Sequence, residues 1–431
     1  MKRKKVLALV MASMMAFAAG CSSSGTESAS SGEAQSAEVT ADQAAADETA
    51  EVQDITLKVW TPEEDMDITN DMCAAFDEAH PEYNITFDIS ITGIDESGAS
   101  LTTDADAAAD VFLIPSGSIP ELTNAGLLLP IAYDLENVKS LYGEGAIEAC
   151  TKDDMLYGIP SSPNSFFMYY NKDMYTEEEV KSLDAMMAKD LGADVKNFSF
   201  TIHNSWYLES FFYAAGCTLF GEDGTDPTDC TWNNENGIKA GEYVLDLIAN
   251  PKYLEDEDGI AGSMMKDGKL AALCSGTWAS NDVKEALGDA YAAAPLPTIK
   301  IDGKDCQLSN FADYKCYAVK SSTAQPLAAQ QLAEFFANEE NQLVHYKNNG
   351  QTPTVLSLQE NPEIAADPAT VALIGQTQYA TPQPSIAQIA NYWSPVEALG
   401  TGMVNGEVTK DNLQEMLDST VTGILDELTA E

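Results

Sequence analysis

The residue types that usually do chemistry are present but not arranged for catalysis. The three histidines, His80, His203 and His345, lie far apart with no metal-ligand spacing. No G-x-S-x-G, Walker or dinucleotide signature occurs. With 69 acidic against 22 basic residues, carboxylate pairs of the kind that cleave glycosidic bonds arise by chance everywhere, so none marks a catalytic dyad. What remains are groups that bind rather than react. Trp278 sits in the turn Gly276-Thr277-Trp278-Ala279, Trp393 in Asn391-Tyr392-Trp393-Ser394-Pro395, and Tyr207 at the start of an apolar helix. Aromatic rings stack on apolar ligand faces, while Asp, Glu, Asn and Ser pair with hydroxyls. One cysteine, Cys21, stands apart at the end of an apolar run.

These residues depend on a repeated pattern of elements. Ile55, Leu57 and Val59 alternate into a strand that ends at Trp60, and the loop Thr61-Pro62-Glu63-Glu64-Asp65 follows. Ile68, Met72, Ala75, Phe76 and Ala79 recur at helical spacing, Ile85 to Ile91 alternates again, and "VFLI" precedes the turn Pro115-Ser116-Gly117-Ser118. Strand, helix, strand repeated predicts a parallel α/β sheet. Ligands of such sheets bind beyond the carboxyl ends of the strands, so both loops should face one cleft. A second unit follows: a helix over "EEEVKSLDAMMAKDL", a strand and a helix entered near Asn204 or Ser205, an amphipathic helix closed by Pro251, then a strand, the Trp278 turn and a helix capped by Asn281 or Asp282. "NFADYKCYAV", residues 310 to 319, alternates and can carry the chain back. Trp60 is expected in the core. Trp206 and Trp232 read equally well as packing residues or ligand contacts.

The amino terminus is of another kind. Lys2 to Lys5 precede the apolar run Val6 to Ala19, a segment with the form of a secretory signal and too short for a comfortable membrane span. Ala18-Ala19-Gly20-Cys21 resembles the lipobox of bacterial lipoproteins, which implies cleavage before Cys21 and lipid on its thiol and amine. Residues 22 to 51 hold no aromatic or basic residue and cannot bury enough surface to order themselves. As a tether of ~30 residues they reach roughly 30 Å. The division expected is a signal over 1–20, lipidated cysteine and linker over 21–51, an N-terminal lobe over 52–163 plus 316–361 and a C-terminal lobe over 164–315 plus 362–431. The hinges are placed at Ser162 to Phe166, Phe311 to Tyr317 and Asn361 to Pro368.

Several stretches together, "LKVWTPEED", "ADVFLIPSGSIPELTNAGLLLPI", "LYGIPSSPNSFFMYYNKDMY", "KDGKLAALCSGTWASN" and "APLPTI", resemble the extracellular solute-binding proteins of sugar ABC importers, in particular the maltose and maltodextrin branch. The resemblance spans about residues 55 to 428. It implies two α/β lobes, each a mainly parallel sheet flanked by helices, joined by hinge strands and closing on a sugar that is passed to a membrane permease. The aromatic positions of that family are met by Tyr207, Trp278 and Trp393. Its polar positions fall on Glu64, Asp65, Ser116, Ser118, Asn164 and Ser205. Here the pattern departs, because a lysine expected beside Glu64 is Asp65, and charged groups expected after the third strand are Ser116, Gly117 and Ser118.

Charge narrows the ligand. The formal net charge is −47, and Arg3, inside the signal, is the only arginine. Nucleic acid is excluded, because phosphate binding needs clustered cations. An anionic ligand would have to shed its hydration without a fixed cation in the cleft loops. The expectation is a monomeric binder of a neutral oligosaccharide, maltotriose or longer, without cofactor or metal. The rival classes are a secreted glycoside hydrolase and an adhesion lipoprotein. Seven cysteines remain besides Cys21; a staple is possible at 217–230 or 306–316, though spacing demands neither. Replacing Cys21 by Ala should leave the protein unlipidated and released from cells, since a lipoprotein cysteine carries several acyl chains where one binds only marginally. Cell fractionation that finds the variant still wholly membrane-bound would contradict the anchor.

Overall fold

Alternation of Ile55, Leu57 and Val59 with polar residues buries one side of the strand Gln53–Thr61, which pairs in parallel along its length with Tyr83–Ile91. The helix Met66–Ala79 between them packs Met72, Cys73 and Phe76 onto the sheet. In the computed structural model, which describes residues 52–256, 259–384 and 386–426, these elements open a six-stranded sheet. Val111–Pro115 lies parallel beside the first strand, and Phe311–Val319 returns antiparallel against it. Gly158–Asn164 and the short Thr381–Pro382 pair with that returning strand. The signal, Cys21 and linker read over residues 1–51 lie outside the described residues.

The second lobe has its own five-stranded sheet. Ala272–Ser275 runs parallel to Phe198–Phe200 and antiparallel to Phe167–Asn171, with Tyr253–Glu255 and Tyr291–Ala294 at the edges. The strand Phe167–Asn171 is buried on both faces: Met168 and Tyr170 enter one core, Phe167 and Tyr169 the other. Each lobe therefore buries separate apolar surface, the first around Leu57, Phe76, Phe112 and Phe336, the second around Phe198, Phe211, Trp232 and Leu417. The fold is two-lobed α/β.

The chain passes between the lobes through the Ser165-Phe166 link, along the strand Phe311–Val319, and after the short helix Pro362–Ala365. Ile364 packs in the first core, and Ala369 packs with Phe167 and Tyr169 on the other face of the second lobe's sheet. Between them Asp367 caps the helix Pro368–Thr377 and receives Lys284 Nζ at 2.5 Å. This pins the third passage to the second lobe.

Two local expectations fail for identifiable reasons. The helix expected over 177–191 is divided into a turn at Glu179–Lys181 and a helix Leu183–Ala188, because the Ser182 hydroxyl accepts from Ala185 N–H and restarts the helix as its cap. After Trp278 neither Asn281 nor Asp282 caps. The turn Thr277–Ala279 runs straight into Ser280–Leu287, and Asn281 instead donates to the Asn348 carbonyl of the other lobe. The seven described cysteines are free thiols. Cys306 lies in a surface hairpin whereas Cys316 is in the first core, where its thiol is raised by Cys150 and by burial.

Trp232 is a core residue, fully buried and stacked on Phe212 at 4.1 Å. Trp60 is half-buried against the first core, 5.8 Å from Phe112. Beside Trp232 the helix Ser205–Ala214 buries a carboxyl, Glu209, whose two oxygens find no hydrogen-bond partner among the described residues. Burial pushes its pKa well above the usual carboxylate range. In the unfolded chain the same group ionises near ~4.3. The contribution of Glu209 to folding stability is thus full below that pH, and as pH rises that contribution falls by about 1.4 kcal/mol per unit until the folded group also ionises. Glu209→Gln stays neutral throughout. Its stability advantage over the wild type, from urea unfolding at pH 5, 6 and 7, should widen with pH; a difference independent of pH would contradict a protonated Glu209.

Candidate functional site

The strand-end rule places the site where the first and second lobes face each other. A cavity of about 510 Å³ lies there, lined from the first lobe by Asp95, Pro115, Gly117, Ser118, Glu121 and Asn164, and from the second by Ser205, Trp206, Tyr207, Trp278, Trp393 and Glu397. A second cavity of about 400 Å³ adjoins it and shares Asp95, Asn164 and Trp278; Glu63, Glu64, Ile91 and Lys315 complete its wall.

The aromatic side is built on the second core. The Asn204 side chain accepts from Trp206 N–H at 2.8 Å and starts the helix Ser205–Ala214. Its first turn therefore presents Ser205, Trp206 and Tyr207 together at the cleft. Tyr207 leans on Phe166 at 4.5 Å and on Phe200 at 5.7 Å, and burial raises its hydroxyl pKa. Trp206 and Trp393 lie 6.3 Å apart with planes 27° from parallel, and both contact the buried Phe311 of the returning strand. Tyr392 O–H donates to the Ser205 carbonyl at 2.9 Å and fixes the two segments together. Trp278 lies against Gly276, where a Cβ would meet its ring at 2.0 Å. The glycine makes room for Trp278 itself.

The polar side is organised by one buried carboxylate that the sequence reading did not single out. Asp313, on the returning strand, accepts from the Ser116 hydroxyl, from Gly117 N–H at 3.1 Å and from Asn164 Nδ2 at 3.0 Å. Ser116 Oγ in turn accepts from Tyr314 N–H at 3.2 Å. Burial raises the Asp313 pKa against the pull of these bonds. At Gly117 a Cβ would meet the amide end of the Gln383 side chain, which would have to swing aside.

The expected contact residues divide accordingly. Ser118, Asn164, Ser205, Tyr207, Trp278 and Trp393 line the larger cavity and Glu64 the adjoining one. Two do not. Asp65 is buried behind the cleft, where Asn349, Gln351 at 3.3 Å and His345 at 3.6 Å surround it. Burial would raise its pKa, but His345, then Lys315 and Gln351, hold it below the usual value. The Asp65 side chain turns inward to the amides of Asn349 and Gln351 and to His345, while its backbone N–H, on the Pro62 carbonyl, closes the turn that starts the first helix. Ser116 is spent on Asp313 rather than lining either cavity.

Sequence reasoning missed Asp95, Glu121, Gln383, Glu397 and Lys315, and left Trp206 open. Asp95 follows the carboxyl end of Tyr83–Ile91, so the strand-end rule could have found it. A cation does reach the cleft, from the returning strand rather than from its loops: Lys315, 8 % exposed, lies 4.9 Å from the centre of the Trp278 ring. Burial lowers its pKa, opposed by Asp65, Glu64, Asp95 and Asp313.

Comparison with known proteins agrees with this architecture. The galactooligosaccharide-binding protein of Bacillus subtilis strain 168 is 28 % identical over 85 % of this chain and 89 % of its own. The maltooligosaccharide ABC transporter solute-binding lipoprotein of Streptococcus pneumoniae R6 is 26 % identical over 83 % of this chain and 86 % of its own. A solved structure with acarbose is 35 % identical, superimposes with a TM-score of 0.80 and covers 87 % of this chain and 100 % of that one. Residues 71–372 match the family of bacterial extracellular solute-binding proteins, and the chain belongs to that family.

Proposed function

We propose that this protein captures neutral malto-oligosaccharides outside the cell and delivers them to an ABC permease, held at the membrane by lipid on Cys21. The observation that carries the reading is the pairing, in one cleft, of the rings of Trp206, Tyr207, Trp278 and Trp393 with the oxygen-rich wall of Asp95, Ser118, Glu121 and Asn164. A pyranose has an apolar C–H face suited to the first and hydroxyls suited to the second. The S. pneumoniae relative and the structure with acarbose support an α-glucan. Among the described residues no helix is long and apolar enough to cross a membrane. Nothing in the reading calls for a cofactor or a catalytic step. The cleft carboxylates serve as hydroxyl partners, and incubation with maltotriose should release no glucose.

A second reading, galacto-oligosaccharide binding, is favoured by the B. subtilis relative. Titration calorimetry with maltotriose, a galacto-trisaccharide and a galacturonate oligomer separates the readings. We expect maltotriose to bind tightest and the galacturonate not at all, since Lys315 is outnumbered by Glu64 and Asp95 around it. Tightest binding of the galacto-trisaccharide would select the second reading.

Trp278→Ala and Trp393→Ala should each weaken maltotriose binding by ~2 kcal/mol, about thirtyfold. Trp393 also packs on Phe311 and Tyr392, so its loss should lower the unliganded melting temperature more than that of Trp278. Normal affinity in folded variants would make both rings core residues. A ligand that touches both walls favours the arrangement in which they are closest. Small-angle scattering should therefore give a smaller radius of gyration at saturating maltotriose; an unchanged radius would argue for a rigid site on one lobe.

A further inference from the structure

The expected lysine beside Glu64 is absent, yet a lysine occupies the same cavity from elsewhere. We propose that Lys315 is a specificity residue that extends the site beyond Trp278: its ammonium donates to the oxygens of the sugar units that enter the smaller cavity. The inference rests on the malto-oligosaccharide reading above.

Its geometry sets Lys315 apart from the other buried lysine of the strand region. Lys320 is committed, donating to the Ala108 carbonyl at 2.7 Å with Asp110 at 3.9 Å. Lys315 Nζ makes no ion pair or hydrogen bond among the described residues; its contact is the face of Trp278. An ammonium has three N–H donors, and a ring face satisfies them poorly compared with oxygen acceptors. The carboxylates that could have taken them are placed otherwise. Asp313 is occupied by Ser116, Gly117 and Asn164, and Asp65 by Asn349 and Gln351.

The strand explains how the side chain arrives. Asp313 and Lys315 are two residues apart and share a face. In the pairing with Gly158–Asn164, Lys315 lies opposite Ser162 and Cys316 opposite Pro160, so the extra residue, Ser161, is on the partner strand and the alternation through Lys315 is kept. On that face Lys315 lines the smaller cavity together with Glu64 and Asp95. A cation between two carboxylates gives no net attraction for an anion, but it gives a neutral glucan both donors and acceptors. Trp278 lines both cavities, so a chain stacked on it passes from the aromatic cavity to the lysine. Short ligands should use the larger, aromatic cavity and longer ones both.

The test is calorimetry of wild type, Lys315→Met and Lys315→Gln with maltose and maltotetraose. In the wild type the tetraose should bind tighter than maltose. Lys315→Met keeps the alkyl packing and should lose about ten- to a hundredfold in tetraose affinity, the scale of a charge-assisted hydrogen bond, and should lose clearly less in maltose affinity. Lys315→Gln should lose less, since its amide still donates, and it carries the test if the Met variant folds poorly. An equal loss for both sugars would mean that Lys315 only props Trp278, and no loss for either would mean that it faces no ligand; each result overturns the inference. A wild type that binds neither glucan overturns this inference and the glucan reading together. A wild type that binds glucans with unaffected variants overturns this inference alone.

Discussion

Burying the carboxyl of Asp313 at the passage between lobes constrains everything near it. A buried carboxylate needs donors, and Asp313 takes them from Ser116 and Gly117, which end the third strand of the first sheet, and from Asn164, which ends the strand leading to the second lobe. One side chain thus ties the turn that walls the cleft to two of the three interlobe passages. Two residues before it on the same strand, Phe311 is enclosed by Trp206, Tyr213, Tyr392 and Trp393. Two residues after it, Lys315 meets Trp278. With a period of two, a single face of one strand sets an aromatic hub and a hydrogen-bond hub behind the cleft walls and a cation in the cleft itself.

On the proposed reading, this arrangement divides the work of recognition. The second lobe supplies rings seated on its apolar core, so they need no ligand to hold them. The first lobe supplies oxygen and nitrogen groups at strand ends, where backbone and side-chain donors are least committed. A ligand with an apolar face and a polar edge satisfies both only when the lobes approach, which couples binding to hinge geometry. The hinge itself stays small: the Ser165-Phe166 link, one strand, and the segment that Lys284 and Asp367 fasten to the second lobe.

Much of this was legible in the sequence. Alternation and helical spacing expose the strand-helix-strand units, and the strand-end rule points from them to the turns holding Ser118 and Trp278. "NFADYKCYAV" reads as the strand that carries the chain back, which it is. What was not legible depends on neighbours distant in sequence. Asp65 and Glu64 are adjacent and chemically alike, but only the position of Asn349 and Gln351, nearly three hundred residues away, decides that Asp65 turns inward. Ser116 looked free because its partner, Asp313, lies 197 residues on. Lys315 was invisible for the same reason. A charged residue inside an alternating strand announces an unusual environment, but the pattern does not say which cavity it meets.

On the proposed function, one neutral oligosaccharide lies between the aromatic and the polar wall. A crystal structure of the protein grown with maltotetraose should then show sugar rings stacked on Trp278 and on the Trp206–Trp393 pair, with hydroxyls on Asp95, Asn164 or Glu121 of the opposite lobe. A sugar seated on one lobe alone, or lodged away from these tryptophans, would contradict it.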